Sequence, residues 1–461
     1  TISGVKTDEL LWSYGVEVAE AADVMLGIAA DVGHDLELPS GASTNDSLRE
    51  MFYGSTRLVC DRCGTEHKVK EWTGAKAVDG TFCPKCAGKK KAPVNQKCKV
   101  KRNPCLNLEY VYSEKSKSGN PTMDKSAMDH YETTLPDGPA LTFTHTLKGM
   151  RSRSTAIAFI GSYKRFWLPI KGSEGWYRLH PSFNPTGTNT LRWSSYNPNA
   201  TNISRKEDFN LRYCFGPAPG REWWSMDYRS IERRIPAYES GEPKMLEVFE
   251  RPDEPPYWGN LYNLSASILY PEEYWLLAET KDAFKKEQPG LYKKAKFFDL
   301  AKQYGCGRAK ADLLSGIEGS FDSVDNEFPL LAALQNKYLT FARKYGYVET
   351  IPDRSVSNRG YPLLVSRTED GHVSGTTPFN YHISGTAMQT TNGAMIRCEE
   401  QIKEWNADGW DGFMTMQIHD ELVFDMPKGS GAEPWRTNLP RAQRLKELME
   451  ERGKYIGVPT P

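Results

Sequence analysis

Phe413-Met-Thr-Met-Gln-Ile-His-Asp-Glu-Leu-Val-Phe424 sets two apolar, β-prone runs on either side of His419-Asp420-Glu421. The pattern predicts a β-hairpin with acids at its tip. Adjacent carboxylates in a tight turn repel unless a cation or a proton relieves them. The tripeptide is therefore either part of a cation site or a solvated polar turn. Upstream, Trp223-Trp-Ser-Met226 reads as a strand ending at Asp227, with a helix from Ser230 onward. Asp227 is then a second carboxylate at a strand end, or a cap for that helix. Brought together, the two acids would suit a pair of Mg2+ ions, which lie ~3.5–4 Å apart in phosphoryl-transfer sites.

Outward from these segments the texture alternates. Leu10, Leu11, Val16, Val18, Ala21, Val24, Met25 and Ile28 predict one long, partly buried helix from Thr7 to about Val32, and Leu48 and Met51 mark a short one. Ser113–Pro121 has loop composition. Short strands and turns begin at Trp176. Helices dominate from about 240 to 345, broken at Pro252–Pro256 and Gln288-Pro-Gly290, and Gly346–Ile351 returns to strand. Helices, a sheet, a helical insertion and the sheet again describe an α+β chain. That order allows acids far apart in sequence to meet on one sheet.

At 461 residues, more than one core is expected, and 39% hydrophobic with 26% charged residues describes a folded chain. Lys plus Arg equals Asp plus Glu at 59 each, so net charge is silent about a polyanionic partner. No apolar run approaches the ~20 residues of a membrane helix, and no signal peptide opens the chain. Nine cysteines, an odd number, argue against a disulfide framework and for an intracellular location. Cys60-x2-Cys63 and Cys83-x2-Cys86 have the spacing of a four-thiolate zinc ribbon, against an unmetallated loop or a redox pair. Cys98, Cys105, Cys214, Cys306 and Cys398 read as buried thiols. A basic run, Lys89, Lys90, Lys91, Lys97, Lys99, Lys101 and Arg102, follows the ribbon and suits either solvent or phosphates.

Asp227-Tyr-Arg-Ser-Ile-Glu-Arg-Arg234 resembles motif A of the family A, DNA polymerase I-like enzymes, Asp-Tyr-Ser-Gln-Ile-Glu-Leu-Arg. Gln417-Ile-His-Asp-Glu421 resembles motif C, and Lys296 with Tyr304-Gly305 keeps the spacing of motif B. Thr190-Leu-Arg-Trp-Ser-Ser-Tyr-Asn-Pro-Asn-Ala-Thr-Asn-Ile203 resembles the primer–template segment. Gly346-Tyr-Val-Glu-Thr350 and Gly385-Thr-Ala387 follow in family order. The resemblance runs from about residue 10 to the end.

It implies a right-hand fold with an antiparallel palm sheet. The thumb would cover 1–150, with a zinc-ribbon-like insertion at about 58–105. The palm would cover 151–236 and 371–461, and the fingers 237–370. No stretch resembles the 3′–5′ exonuclease domain that lies upstream in the family, and the sequence leaves open whether the chain is a fragment of a longer protein. The implied activity is template-directed addition of deoxynucleotides to a primer in DNA replication or repair. Asp227 and Asp420, with the Tyr228 carbonyl, would hold two Mg2+ ions, and Glu421 would be an auxiliary acid. Lys296 would meet the triphosphate, Leu300 the sugar and Tyr304 the nascent pair. Glu232 would be the gate against a 2′-hydroxyl. Arg192, Asn199, Asn202 and His419 would contact DNA. Each has a plainer reading: a solvated lysine, a core aromatic, a surface glutamate paired with Arg233 or Arg234, ordinary Asn-Pro-Asn turn chemistry.

The implied partners are primer–template DNA and deoxynucleoside triphosphates, bound by a monomer with no membrane. Departures cluster in motif B and the fingers. Tyr292 replaces an arginine, with Lys293 nearby, and Leu300-Ala301 replaces an aromatic and a common glycine. Tyr262 stands at a histidine position and Ser384 at a glutamine position. A single-subunit RNA polymerase, or a catalytically dead zinc-containing DNA-binding protein, are the competing assignments. Glu232 and Glu421 favour DNA synthesis over the first, and the two aspartates argue against the second.

Overall fold

The computed structural model describes residues 1–38, 46–69, 83–87, 98–112, 121–185, 187–203, 210–368, 370–430 and 432–461. They form two compact units, Thr1–Leu179 with Ile203–Phe215, and His180–Asn202 with Gly216–Pro461.

In the first unit the long helix α1 spans Gly4–Asp31, opened by the Ser3 side chain, which accepts from the Lys6 amide. Its stripe of Leu10, Tyr14, Met25 and Ala29 is buried, whereas Val16 and Val24 face solvent, off that stripe. Helix α2 (Asp46–Tyr53) leads into β1 (Thr56–Cys60), β2 (Glu66–Val69) and, after a short helix at Pro84–Ala87, β3 (Cys98–Arg102). These strands make an antiparallel sheet in the order β2-β1-β3. Helices α3 (Lys125–Thr134) and α4 (Pro139–Gly161) complete a core around Met25, Phe52, Tyr131, Phe143 and Leu147. Lys99, Lys101 and Arg102 of the basic run lie in β3. Lys89–Lys91, Lys97 and nearly all of the expected Ser113–Pro121 loop lie outside the described residues.

The second unit is built on β4 (Arg221–Asp227), followed by helix α5 (Ile231–Ser240). Asp227 is not the cap of α5. That position belongs to Ser230, which has left-handed backbone and makes no capping bond. Helices α6 (Leu261–Leu269), α7 (Pro289–Gln303) and α8 (Pro329–Tyr345) follow, with Leu264, Tyr274, Phe284, Phe298 and Phe328 between them and their neighbours. The strand expected at Gly346–Ile351 is Tyr347–Glu349, paired with Pro362–Leu364. Helix α9 (Thr377–Ala407) precedes the hairpin of β5 (Phe413–Ile418) and β6 (Glu421–Pro427), and α10 (Leu439–Ile456) closes the unit.

The three-stranded antiparallel sheet has the order β5-β6-β4. Its central strand β6 is buried from Glu421 to Met426, because α5, α9 and α10 cover it through Ile231, Ile235, Ile383, Leu445 and Met449. Cys214, Cys306 and Cys398 are buried thiols as expected, but Cys105 is half-buried. No helix among the described residues is long and apolar enough to cross a membrane.

Candidate functional site

The β4–β6 ladder brings the acids of the two sequence segments together. Asp227, the last residue of β4, stands opposite Glu421, the first residue of β6. The Tyr228 amide donates to the Asp420 carbonyl at 3.5 Å. The hairpin turn is His419-Asp420 alone, with His419 at φ 59°. Glu421 is therefore not at an exposed tip, as the sequence pattern suggested. A third strand pairs with β6 and carries Glu421 into the sheet, where it is 8% exposed and accepts a hydrogen bond from Ser225 Oγ. Burial, and then the neighbouring Asp227 charge, push the Asp420 carboxyl up to about 6. Two crowded, oxygen-only donors of like charge fit a hard divalent cation, which would relieve that repulsion.

Glu232, in the first turn of α5, is tied on both carboxylate oxygens. Arg192 Nη2 at 2.6 Å and Ser384 Oγ at 2.8 Å donate to Oε1, and the Tyr304 hydroxyl donates to Oε2 at 2.7 Å. Burial opposes its ionisation, but Arg192, Tyr304 and Ser384 outweigh burial and hold its pKa below the ordinary value. Its partners are thus not the adjacent Arg233 and Arg234 of the surface alternative. Arg234 Nε instead donates to the Arg229 carbonyl at 3.0 Å.

Lys296 and Leu300 lie four residues apart on one face of α7, and Tyr304, four residues further on, is its C-cap. Lys296 Nζ lies 5.4 Å from the centre of the Tyr262 ring. Tyr262 packs edge-on against Tyr292 at 6.3 Å, so the two replaced family positions touch each other. Leu300 is half-buried and takes no part in the buried core beside α7.

Of the expected DNA contacts, Arg192 is engaged with Glu232. Asn199 Oδ1 accepts from Ser195 Oγ at 3.2 Å and from the Asn202 amide at 3.3 Å, closing its own turn. Asn202 and His419 are exposed. The Tyr228 side chain is buried, and its hydroxyl donates to the Met449 carbonyl at 2.8 Å.

Away from this site, Cys60, Cys63, Cys83 and Cys86 converge, with their sulfurs all within 4.8 Å of one another. Cys60 and Cys86 are 3.9 Å apart and Cys63 and Cys83 3.7 Å. Tetrahedral zinc with bonds of about 2.3 Å separates its sulfurs by about 3.8 Å, so the cluster fits that ion. Gly64, at φ +64°, makes the tight turn after Cys63, and its amide donates to the Cys60 carbonyl at 3.0 Å. His67 Nε2, 3.4 Å from Cys83 Sγ, is a neighbour that the cysteine spacing does not announce. The Arg192, Tyr304 and Ser384 tethers on Glu232 were equally unannounced, since each comes from a distant segment.

The DNA polymerase family A profile matches residues 153–459. The thermostable DNA polymerase I of Thermus aquaticus is 29% identical over 291 residues, covering 61% of this chain and 31% of that protein. DNA polymerase I of a Synechocystis strain is 25% identical over 377 residues, covering 74% of this chain and 33% of its own length. The chain thus spans about a third of the length of these curated relatives. A solved structure, the polymerase domain of Pol1 from M. smegmatis in complex with DNA primer-template and dNTP, superposes with a TM-score of 0.69 at 18% identity. It covers 100% of this chain and 65% of that one. The fold is that of this polymerase domain, and the chain belongs to DNA polymerase family A.

Proposed function

We propose that the chain is a DNA-directed DNA polymerase adding deoxynucleotides to a primer 3′-hydroxyl, with primer–template DNA and deoxynucleoside triphosphates as its partners. The observation that carries this reading is the meeting of Asp227 and Asp420 at one end of the β4–β6 ladder, with Glu421 tied back to Ser225. Asp227 and Asp420, with the Tyr228 carbonyl, would hold two Mg2+ ions. When bound, these would supply charge stabilisation to the attacking and leaving oxygens.

The chain's own side chains would do the rest. Lys296 would offset charge building on the leaving pyrophosphate. Glu232, fixed by its three donors, would occupy the space of a 2′-hydroxyl. A fixed side chain excludes by shape, whereas a mobile one would yield. Tyr304, held by Glu232, would present its ring to the nascent pair, and Leu300 an apolar surface to the sugar. Arg192, Asn202 and His419 would face the primer–template, and Asn199 would shape the turn that carries them.

In this reading residues 1–150 form the thumb, 151–236 and 371–461 the palm, and 237–370 the fingers. Compaction of Thr1–Leu179 with Ile203–Phe215 as one unit supports a separate N-terminal subdomain, which also takes in part of the 151–236 segment. The cysteine cluster would hold one structural zinc, and its sulfur separations support that ion. Free thiols at Cys60, Cys63, Cys83, Cys86, Cys105, Cys214, Cys306 and Cys398 are consistent with an intracellular, reducing setting.

Primer extension with deoxy- and ribonucleotides tests the activity. Mg2+-dependent extension with deoxynucleotides, lost in Asp227→Ala and Asp420→Ala while duplex binding survives, is expected. Extension that survives either substitution overturns the assignment, and a preference for ribonucleotides transfers it to the RNA polymerases.

A further inference from the structure

Arg233 stands where the quoted motif A has leucine. It follows the gate residue Glu232 and is 7% exposed. A leucine there would pack without electrostatic cost, whereas a buried guanidinium needs a counter-charge. Burial alone pulls its pKa down to about 10. The counter-charge is Asp299 of α7, the residue before Leu300, which forms an ion pair with Arg233 Nη2. The other Asp299 oxygen accepts from Ser265 Oγ of α6 at 2.8 Å. One half-buried carboxylate therefore joins the helix that follows the catalytic strand, the helix carrying Lys296, and the α6 helix behind both.

The same three helices meet a second time around Tyr262 of α6. The Arg233 guanidinium lies 5.7 Å from the centre of its ring and Lys296 Nζ 5.4 Å from the same centre. The end of α7 is fixed separately, by Gln303 Nε2 donating to the Glu232 carbonyl at 2.8 Å and by Tyr304 on the Glu232 carboxylate. Among the described residues, the Arg233–Asp299 pair is the ion pair that ties the middle of α7, where Lys296 and Leu300 lie, to α5.

We propose that Arg233 and Asp299 are positioning residues that seat the middle of α7, and with it Lys296 and Leu300, for nucleotide binding. The inference rests on the polymerase reading. It assigns to the pair control of nucleotide affinity, leaving the metal acids and the duplex grip untouched. An unpaired buried charge displaces its helix, whereas removing both charges leaves two neutral groups that repack at little cost.

Single-nucleotide addition by the whole chain tests it, with wild type as reference. If wild type does not extend a primer, the polymerase reading fails and not this one. Given wild-type extension, Arg233→Leu and Asp299→Asn should each raise KM for the deoxynucleotide by about tenfold or more, with kcat changed by less than about threefold. Primer–template affinity should not move. The double variant Arg233→Leu/Asp299→Asn should return KM to within about threefold of wild type. Should Arg233→Leu not fold, Arg233→Lys keeps the charge without the planar fork, and a KM raised by a few-fold is expected. An unchanged KM in the singles, a loss confined to kcat and melting temperature, or a double variant no better than the worse single overturns the assignment.

Discussion

Asp227 and Glu421 are opposite neighbours in one antiparallel ladder, yet they serve different ends. Glu421 is buried and accepts the Ser225 hydroxyl, while Asp227 sets its charge against Asp420 across the strand end. Direct partners on one sheet face lie about 4.5–5.5 Å apart at Cβ, close enough for three carboxylates to have formed one anionic cluster. The Ser225 bond withdraws one of them. What remains is a pair, and that arrangement sets the first prediction.

Asp420 titrates near 6, above its ordinary range, so folding favours its neutral form. The sign follows: its contribution to stability is complete below about pH 4 and is lost as pH rises through about 6. Metal-free Asp420→Asn should therefore melt about 2–4 °C higher than wild type at pH 8 and no higher at pH 4.5. It should not extend primers at either pH. Thermal melts in chelator across that range check this, and a variant equally or less stable at pH 8 would show that Asp420 is not under strain from Asp227.

Glu232→Ala opens space but also releases Arg192, Ser384 and Tyr304 together. The ratio of ribonucleotide to deoxynucleotide incorporation should rise by about tenfold or more, with a lower overall rate. Glu232→Gln keeps the volume and should keep most of the discrimination while losing rate. Equal loss with both substrates would make Glu232 purely structural.

Freshly purified, reduced protein should contain about one zinc per chain, bound by Cys60, Cys63, Cys83 and Cys86. Elemental analysis decides it, and protein free of zinc rejects it. Cys83→Ser with Cys86→Ser should release the metal and shorten extension products, with single-nucleotide addition retained.

Leu300 offers the sugar neither a flat face nor a hydroxyl, only apolar contact worth about 1–2 kcal/mol. Wild type should therefore discriminate against dideoxynucleotides. Leu300→Tyr should raise the terminator-to-deoxynucleotide incorporation ratio by about tenfold or more. An unchanged ratio would mean that this face of α7 is turned toward the core.

The hairpin, the strand to Asp227 and the α1 helix were all legible because alternation and helical periodicity are local signals. The position of Glu421 was not. Whether the turn holds two residues or three depends on β4, a strand from far upstream that pairs with β6 and claims Glu421. That Asp227 and Asp420 would meet could be read from motifs, but the partners of Glu232 could not be. Arg192, Tyr304 and Ser384 lie 40, 72 and 152 residues away, and no spacing rule connects them. The Arg233–Asp299 pair shows the same limit. The sequence displays an arginine in place of a leucine, but only the packing of α5 on α7 names the carboxylate that makes it tolerable.

The three tethers on Glu232 also have a thermodynamic consequence. Arg192 belongs to the segment expected to meet the primer–template, and Tyr304 to the helix expected to meet the nucleotide, and both bind the same carboxylate. A phosphate that draws Arg192 away changes the ionisation and hold of Glu232, and thereby the freedom of Tyr304. Linkage makes this reciprocal: whatever duplex binding does to nucleotide affinity through Glu232, nucleotide binding does to duplex affinity by the same factor. On the proposed reading, the residue that would exclude the wrong sugar would thus also be the point at which the two substrates communicate.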